Sequence, residues 1–297
     1  MRVRTLAVGL LVGGLALTAC GKEGAPGDSG SAAPQQSAAA DVTVAGSATF
    51  DKMKARGKVV IGVKEDQPGL GYKDPTTGKF SGFDIEIGKL VAAKLGFDPE
   101  TKIEYKVVQS AGREAAIANG DVDYYVGTYT INARRKEQIN FAGPYFTAGQ
   151  DLLVRKDNTD ITGPETLKGK KVCSISGSTP IQKVKTDNLT EPNNIVELQS
   201  YSQCVTQLEQ KAVDAVTTDD AILKGYAARE KDKFKVVGKT FSSEPYGIGL
   251  PKTDAALKTK VTEILQTALD DGTWQNIYNN TLGQSGSPAT KPVLDKS

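Results

Sequence analysis

Thr128 and Thr130 stand two residues apart, just ahead of the arginine pair Arg134-Arg135. If a strand here runs into a helix, its alternation places both hydroxyls on one face. The helix start then adds a guanidinium and unpaired backbone N–H groups at the same point. Hydroxyls, a guanidinium and free amides converging on one small volume are what a carboxylate needs. Other chemistry is excluded at the outset. The chain contains no histidine, so a Ser-His-Asp or Cys-His arrangement and any histidine-based metal site are ruled out.

The elements that would position these groups alternate. Val59–Val63 reads as a buried strand, and Phe83, Ile87, Leu90, Val91 and Leu95 follow helical spacing with Gly96 at its end. A strand at Ile103–Val108, a short helix at Arg113–Ala118, a strand at Val122–Thr130 and a short helix at Asn132–Gln138 follow. A second set repeats the pattern: strands at Asp151–Val154, Lys171–Ile175, Ile195–Leu198 and Val213–Thr217, with helices from Ser178, Tyr201 and Asp219. Strands at Phe234–Val237 and Gly247–Leu250 precede a long helix near Asp254–Asp270 and a last one at Trp274–Leu282. Such alternation predicts α/β sheets flanked by helices, with ligands at the carboxyl ends of strands. Lys64, Ser110, Thr128, Thr130, Ser178, Thr179 and Asp219 all fall at such ends.

The N-terminus reads as a targeting segment. Arg2 and Arg4 precede an apolar run, Leu6–Leu17, shorter than the ~20 residues of a membrane span. Leu17-Thr18-Ala19-Cys20 looks like a lipobox, which implies cleavage after residue 19 and a lipid on Cys20. Residues 20–48 are rich in small and polar side chains and read as a flexible tether; 284–297 read as a disordered tail. The folded part is then about 235 residues, one large domain or two small ones. With 37 basic and 35 acidic residues, net +2, nothing points to nucleic acid. Outside the cytoplasm, the two remaining cysteines, Cys173 and Cys204, are expected to form a disulfide.

Several segments together resemble the extracellular amino-acid-binding proteins of ABC importers. They are Gly82-Phe83-Asp84-Ile85-Glu86, Gly120-Asp121-Val122-Asp123, and Thr128-Tyr129-Thr130 to Arg135 followed by Phe141-Ala142-Gly143-Pro144-Tyr145. Leu167-Lys168-Gly169-Lys170-Lys171-Val172, Ser176-Gly177-Ser178-Thr179 and Val213-Asp214-Ala215 to Asp219 complete the series, in the family's order across the folded part. The glutamate-binding branch is matched through Gln67-Pro68-Gly69-Leu70-Gly71-Tyr72. The resemblance implies the type II periplasmic-binding fold: two Rossmann-like lobes with mixed sheets joined by two crossover strands. Lobe one would be 49–147 with 245–283, and lobe two 148–244, with crossovers near 146–152 and 242–247. A ligand would bind between the lobes and close them.

By the same resemblance Arg135 grips the α-carboxylate with Thr130 and Thr128, and Ser178 and Thr179 add backbone donors from the other lobe. Arg134 would be surface. Asp219 takes the α-ammonium, its competing use being a helix N-cap, a duty open also to Asp220. Arg113, with Ser110 and Lys64, faces the side chain. Two cations there favour an anionic side chain, since a neutral one would leave desolvated charge unpaired. The family's aromatic wall is missing after Pro68, leaving Tyr72 or the backbone at Gly69 to approach the ligand. The expected function is binding of L-glutamate and its delivery to an importer permease by a monomeric, lipid-anchored protein without cofactor or metal. Glutamine or aspartate binding, an amino-acid sensor without transport, and an enzyme on the same fold (a dehydratase or peptidoglycan-cleaving protein, with Glu65 or Asp66 as its acid) are the alternatives.

Overall fold

The computed structural model describes residues 36–286 and 290–295. The expected signal segment and Cys20 lie outside the described residues. The chain begins its regular structure with α1 (Ala48–Arg56), whose first turn is capped by the Ser47 hydroxyl accepting the Phe50 N–H. There follow β1 (Val59–Val63), the small hairpin β2 (Tyr72–Lys73) and β3 (Phe80–Ser81), α2 (Phe83–Lys94), β4 (Ile103–Val107), α3 (Arg113–Ala118), β5 (Tyr124–Tyr125), α4 (Ala133–Lys136) and β6 (Ile139–Ala148). Next come β7 (Gln150–Arg155), β8 (Val172–Ile175), α5 (Thr179–Thr186), β9 (Ile195–Leu198), α6 (Tyr201–Glu209), β10 (Ala215–Asp219), α7 (Asp220–Arg229) and β11 (Phe234–Val236). The chain then returns through β12 (Glu244–Pro251) to α8 (Ala255–Asp270) and α9 (Thr273–Asn280).

Two five-stranded sheets result, ordered β4-β1-β5-β12-β6 and β11-β7-β10-β8-β9. Both are mixed. β1 is parallel to β4 and β5 while β12 is antiparallel to β5 and β6, and β10 is parallel to β8 but antiparallel to β7. The chain passes between the sheets twice, from β6 to β7 and from β11 into β12. The two passages pair with each other, Glu244 opposite Ala148 and Pro245 opposite Thr147. They are the natural place for a hinge, because short paired strands can twist without breaking either core.

Buried apolar side chains pack on both sheets, and one cluster of them runs from the first half into the second. Beside the first, Phe83 packs edge-on against Phe146, Trp274 and Tyr278, with ring centroids 5.8 to 6.0 Å apart. The Trp274 indole also donates to the Tyr145 carbonyl at 2.7 Å. In the second, Cys173 on β8 is bonded to Cys204 on α6, as the sequence led us to expect.

Three local expectations fail for physical reasons. The strand expected over Val122–Thr130 is reduced to Tyr124–Tyr125, because Thr128 turns into the left-handed region at φ 46° and gives its N–H to Asp84 rather than to a neighbouring strand. Residues before 48 are not all loose: Ala39 donates to the Ala93 carbonyl, and Val44 and Ser47 are buried. The tail also docks over 290–295, where Leu294 is buried and the Asp295 N–H reaches the Gly143 carbonyl at 2.8 Å. Val42 and Val44 pack against the core in the first case, and Leu294 does so in the second. β6 was not anticipated, because Gly143-Pro144 interrupts its apolar pattern.

Candidate functional site

The carboxyl ends of the strands of both sheets face one another across a narrow cleft. Ser110, Arg113, Thr128, Thr130 and Arg135 line it from the first sheet, and Ser178, Thr179, Pro180, Tyr201 and Asp219 from the second. The enclosed space is about 10 Å³, on the order of one water. An amino acid can enter only if the two sheets part. The approach is close at two glycines. A Cβ on Gly177 would lie 2.6 Å from the Ala111 backbone, and one on Gly225 would lie 2.2 Å from the Pro68 carbonyl. Any larger residue at either position would hold the halves apart.

Arg135 is set by α4, whose N-cap Asn132 accepts the Arg135 N–H at 2.9 Å. Its guanidinium is buried, donates to the Thr130 carbonyl at 2.7 Å and the Gly177 carbonyl at 3.1 Å, and lies 3.4 Å from Glu114. Arg113, buried at the start of α3, donates to the Ser110 carbonyl at 3.0 Å and to the same Gly177 carbonyl at 3.2 Å. Both guanidiniums rest on the Tyr129 ring, 4.1 Å (Arg113) and 4.8 Å (Arg135) from its centroid. The aromatic face stabilises two neighbouring cations that would otherwise repel. Burial, then the Arg113 charge, lowers the Arg135 pKa to about 10, so it remains a cation at neutral pH. Arg134 is exposed.

Lys64 does not line the cavity. It is buried directly behind it, donating to the Ser110 hydroxyl at 2.9 Å. Burial, followed by repulsion from Arg113, pulls its pKa down to about 7, with Asp66 opposing. Thr128 gives its hydroxyl proton to Gln67 at 3.2 Å and its N–H to Asp84 at 3.0 Å. Asp84 also accepts from the Tyr145 hydroxyl, and burial raises its pKa to about 6. It therefore fixes the left-handed backbone that brings Thr130 and Arg135 to the cleft.

From the second sheet, the Ser178 hydroxyl is spent on its own helix, accepting the Ile181 N–H and donating to the Ile175 carbonyl. Pro180 has no N–H, so the Thr179 amide is the first-turn donor left for an anion. Asp219 is 3 % exposed at the N-cap of α7 and makes no capping bond. One oxygen accepts from Tyr246 at 2.6 Å, and the other, Oδ1, has no hydrogen-bond partner among the described residues. A buried carboxylate oxygen left unpaired is costly. Burial, then the nearby Glu244 charge, raises the Asp219 pKa to about 8. Asp220 is not a cap either: it accepts the Gly149 N–H and pairs with Lys224 at 2.6 Å.

Tyr129, Tyr201, Gln67 and Glu244 receive no site role from the sequence, although Tyr129 and Gln67 stand inside the segments that carry the resemblance. Tyr201 opens α6 just past β9, so the strand-end rule that found Asp219 would have found it as well. Glu244 carries no local pattern; only its partners reveal it. The proposed aromatic wall is not where it was sought. Tyr72 lies on the hairpin beneath Arg229, whose guanidinium is 4.5 Å from its ring, and Gly69 faces Leu282. Among the described residues no helix is long and apolar enough to cross a membrane, and no acidic or cysteine cluster could hold a metal.

A family model described as bacterial extracellular solute-binding proteins, family 3, matches residues 59–284. The glutamate-binding protein GluB of Corynebacterium glutamicum is 40% identical over 257 residues, 81% of this chain and 86% of that protein. A glutamine-binding protein of Geobacillus stearothermophilus is 40% identical over 248 residues, 84% of this chain and 91% of its own length. Among solved structures, an ancestral arginine-binding protein bound to glutamine is 37% identical with a TM-score of 0.69, covering 75% of this chain and 97% of that one.

Proposed function

Because this chain belongs to the bacterial extracellular solute-binding proteins of family 3, we propose that it captures L-glutamate between its two halves and hands it to the permease of an ABC importer. The observation that carries this reading is the convergence, in one cleft, of two guanidiniums from the first half and the unpaired Asp219 oxygen from the second. That is one acid for an ammonium and two cations for two carboxylates. Arg135, with the Thr179 amide, takes the α-carboxylate; Asp219 takes the α-ammonium; Arg113, supported by Ser110 and Lys64, takes the side chain. Contacts from both halves to one ligand drive closure, since only the closed form makes all of them.

Glutamine is the second reading, and a specific observation favours it. Arg113 already has the Gly177 carbonyl and the Tyr129 ring as partners, so a neutral side chain would not strand its charge. A glutamine-binding relative stands as near as the glutamate-binding one. Against it stands Lys64, a second buried cation directed through Ser110 at the same corner.

Binding rather than catalysis fits the relatives, and it fits the spare acids: Glu65 is exposed, while Asp66 is tied across the cleft to the Ser202 N–H at 3.0 Å. The family's extracellular placement is compatible with a lipid on Cys20 as the anchor, and action as a monomer is part of the same proposal. Calorimetry against the protein amino acids tests the reading: micromolar or tighter binding of glutamate is expected, with aspartate and glutamine weaker. Turnover of an amino acid, or no amino acid bound, would overturn it.

A further inference from the structure

Glu244 lies at the start of β12, 4 % exposed, where the chain re-enters the first sheet. Its Oε2 accepts from the Thr130 hydroxyl at 2.7 Å and from the Thr179 hydroxyl at 2.7 Å, one from each half of the molecule. Its Oε1 accepts from Ser242 at 2.7 Å, and Ser242 in turn accepts the Gln150 N–H at 3.0 Å. The carboxylate is thus held by both passages between the sheets.

A hydroxyl has one proton and two lone pairs, whereas an ionised carboxylate only accepts. With both protons committed to Glu244, the Thr130 and Thr179 oxygens, 3.3 Å apart, have no proton to share between them. They turn lone pairs toward the cleft they line. Two converging acceptors suit an ammonium and repel a carboxylate oxygen. The unpaired Asp219 oxygen belongs to the same lining, and Tyr246, two residues beyond Glu244, holds the other Asp219 oxygen.

We propose that Glu244 is a positioning residue for α-ammonium selectivity: by taking both threonine protons it turns Thr130 and Thr179 into acceptors beside Asp219. This rests on the reading of the ligand as an amino acid. It reassigns the Thr130 hydroxyl from the carboxylate to the ammonium, leaving the α-carboxylate to Arg135 and backbone amides. A side-chain amide at 244 can donate to the same two oxygens, which frees their protons to point into the cleft.

The test compares L-glutamate with glutarate, which keeps both carboxylates and lacks the ammonium, by calorimetry on the full chain and on Glu244→Gln. The unaltered protein should prefer glutamate by more than about a hundredfold, because bound glutarate would leave the buried acceptors unpaired. In Glu244→Gln that preference should shrink by about tenfold or more, glutamate weakening while glutarate holds or tightens. Equal weakening of both ligands would mark Glu244 as a structural tie only and overturn the inference, as would an unchanged ratio. Thr130→Val and Thr179→Val read the same preference should Glu244→Gln not fold, and each should lower it. If the unaltered protein binds no amino acid, the functional reading itself falls. If it binds glutamate and the ratio is insensitive to Glu244, only this inference does.

Discussion

The two halves of the molecule bring opposite equipment to one cleft. The first supplies cations on an aromatic support: Arg113 and Arg135 over Tyr129, with Lys64 behind Ser110. The second supplies an acid with an unpaired oxygen and a helix start, Asp219 and Thr179, and braces them with the Cys173–Cys204 bond. Their cores differ in the same sense. Phe83 anchors an aromatic cluster beside the first sheet, while a covalent link ties β8 to α6 in the second. In the proposed reading, neither half alone distinguishes an amino acid from any other carboxylate or any other cation, and selectivity arises where they meet. The contrast can be broken from either side.

The largest effect should come from the first half. Arg135→Ala removes the buried fork and strands whatever carboxylate it held, a loss on the order of 4 kcal/mol or a thousandfold in affinity for every amino acid. Arg135→Lys, which keeps charge without the planar pair of donors, should recover only part of it; full recovery by Lys in a titration would show that charge, not geometry, does the work. On the second side, removing the disulfide with Cys173→Ser and Cys204→Ser should cost about 3–4 kcal/mol of stability for a bond spanning a sequence separation of 31. Urea unfolding reads this directly. An unchanged midpoint would mean that β8 and α6 hold together by packing alone.

Much of this division was legible in the sequence. Strand ends located Lys64, Ser110, Thr130, Ser178, Thr179 and Asp219, because in α/β sheets polar residues after a buried run have one place to go. The exposure of Arg134 beside buried Arg135 was anticipated by the resemblance rather than by spacing. What stayed hidden depends on partners remote in sequence. The left-handed turn at Thr128 is enforced by Asp84, and the hydroxyl directions of Thr130 and Thr179 by Glu244. Periodicity reports which face a residue occupies; it does not report where its proton goes. The direct lining role of Lys64 failed for a related reason: its long side chain turns back to Ser110.

A smaller effect sharpens the contrast at the side-chain end. Arg113→Met should leave amino-acid binding in place while lowering the glutamate-to-glutamine preference about tenfold. Unchanged selectivity would reassign Arg113 to the α-carboxylate beside Arg135, with which it shares the Gly177 carbonyl.

The mildest test is pH, where the two halves pull in opposite directions. Asp219, raised to about 8 by burial, is protonated below that pH and must lose its proton to hold an ammonium. Affinity should therefore rise with pH on the acid side, by up to about tenfold per unit. Lys64, lowered to about 7 by burial, is neutral above that pH and must gain a proton to face an anionic side chain, so affinity should fall on the alkaline side. Calorimetry in buffers of different ionisation enthalpy should show proton release below pH 7, uptake above pH 8, and near cancellation between. Glutamine should show the release alone. The absence of any proton linkage would contradict both assignments.

In the proposed reading the cations of the first half select an anionic side chain, while Asp219 of the second requires an amino acid. Its most direct test is the ratio of Kd values for L-glutamine and L-glutamate on the unaltered protein at pH 7. Glutamate should bind tighter by at least about tenfold, since only an anionic side chain gains charge-assisted contacts at the Arg113 and Lys64 corner. Equal affinities, or a preference for glutamine, would contradict it.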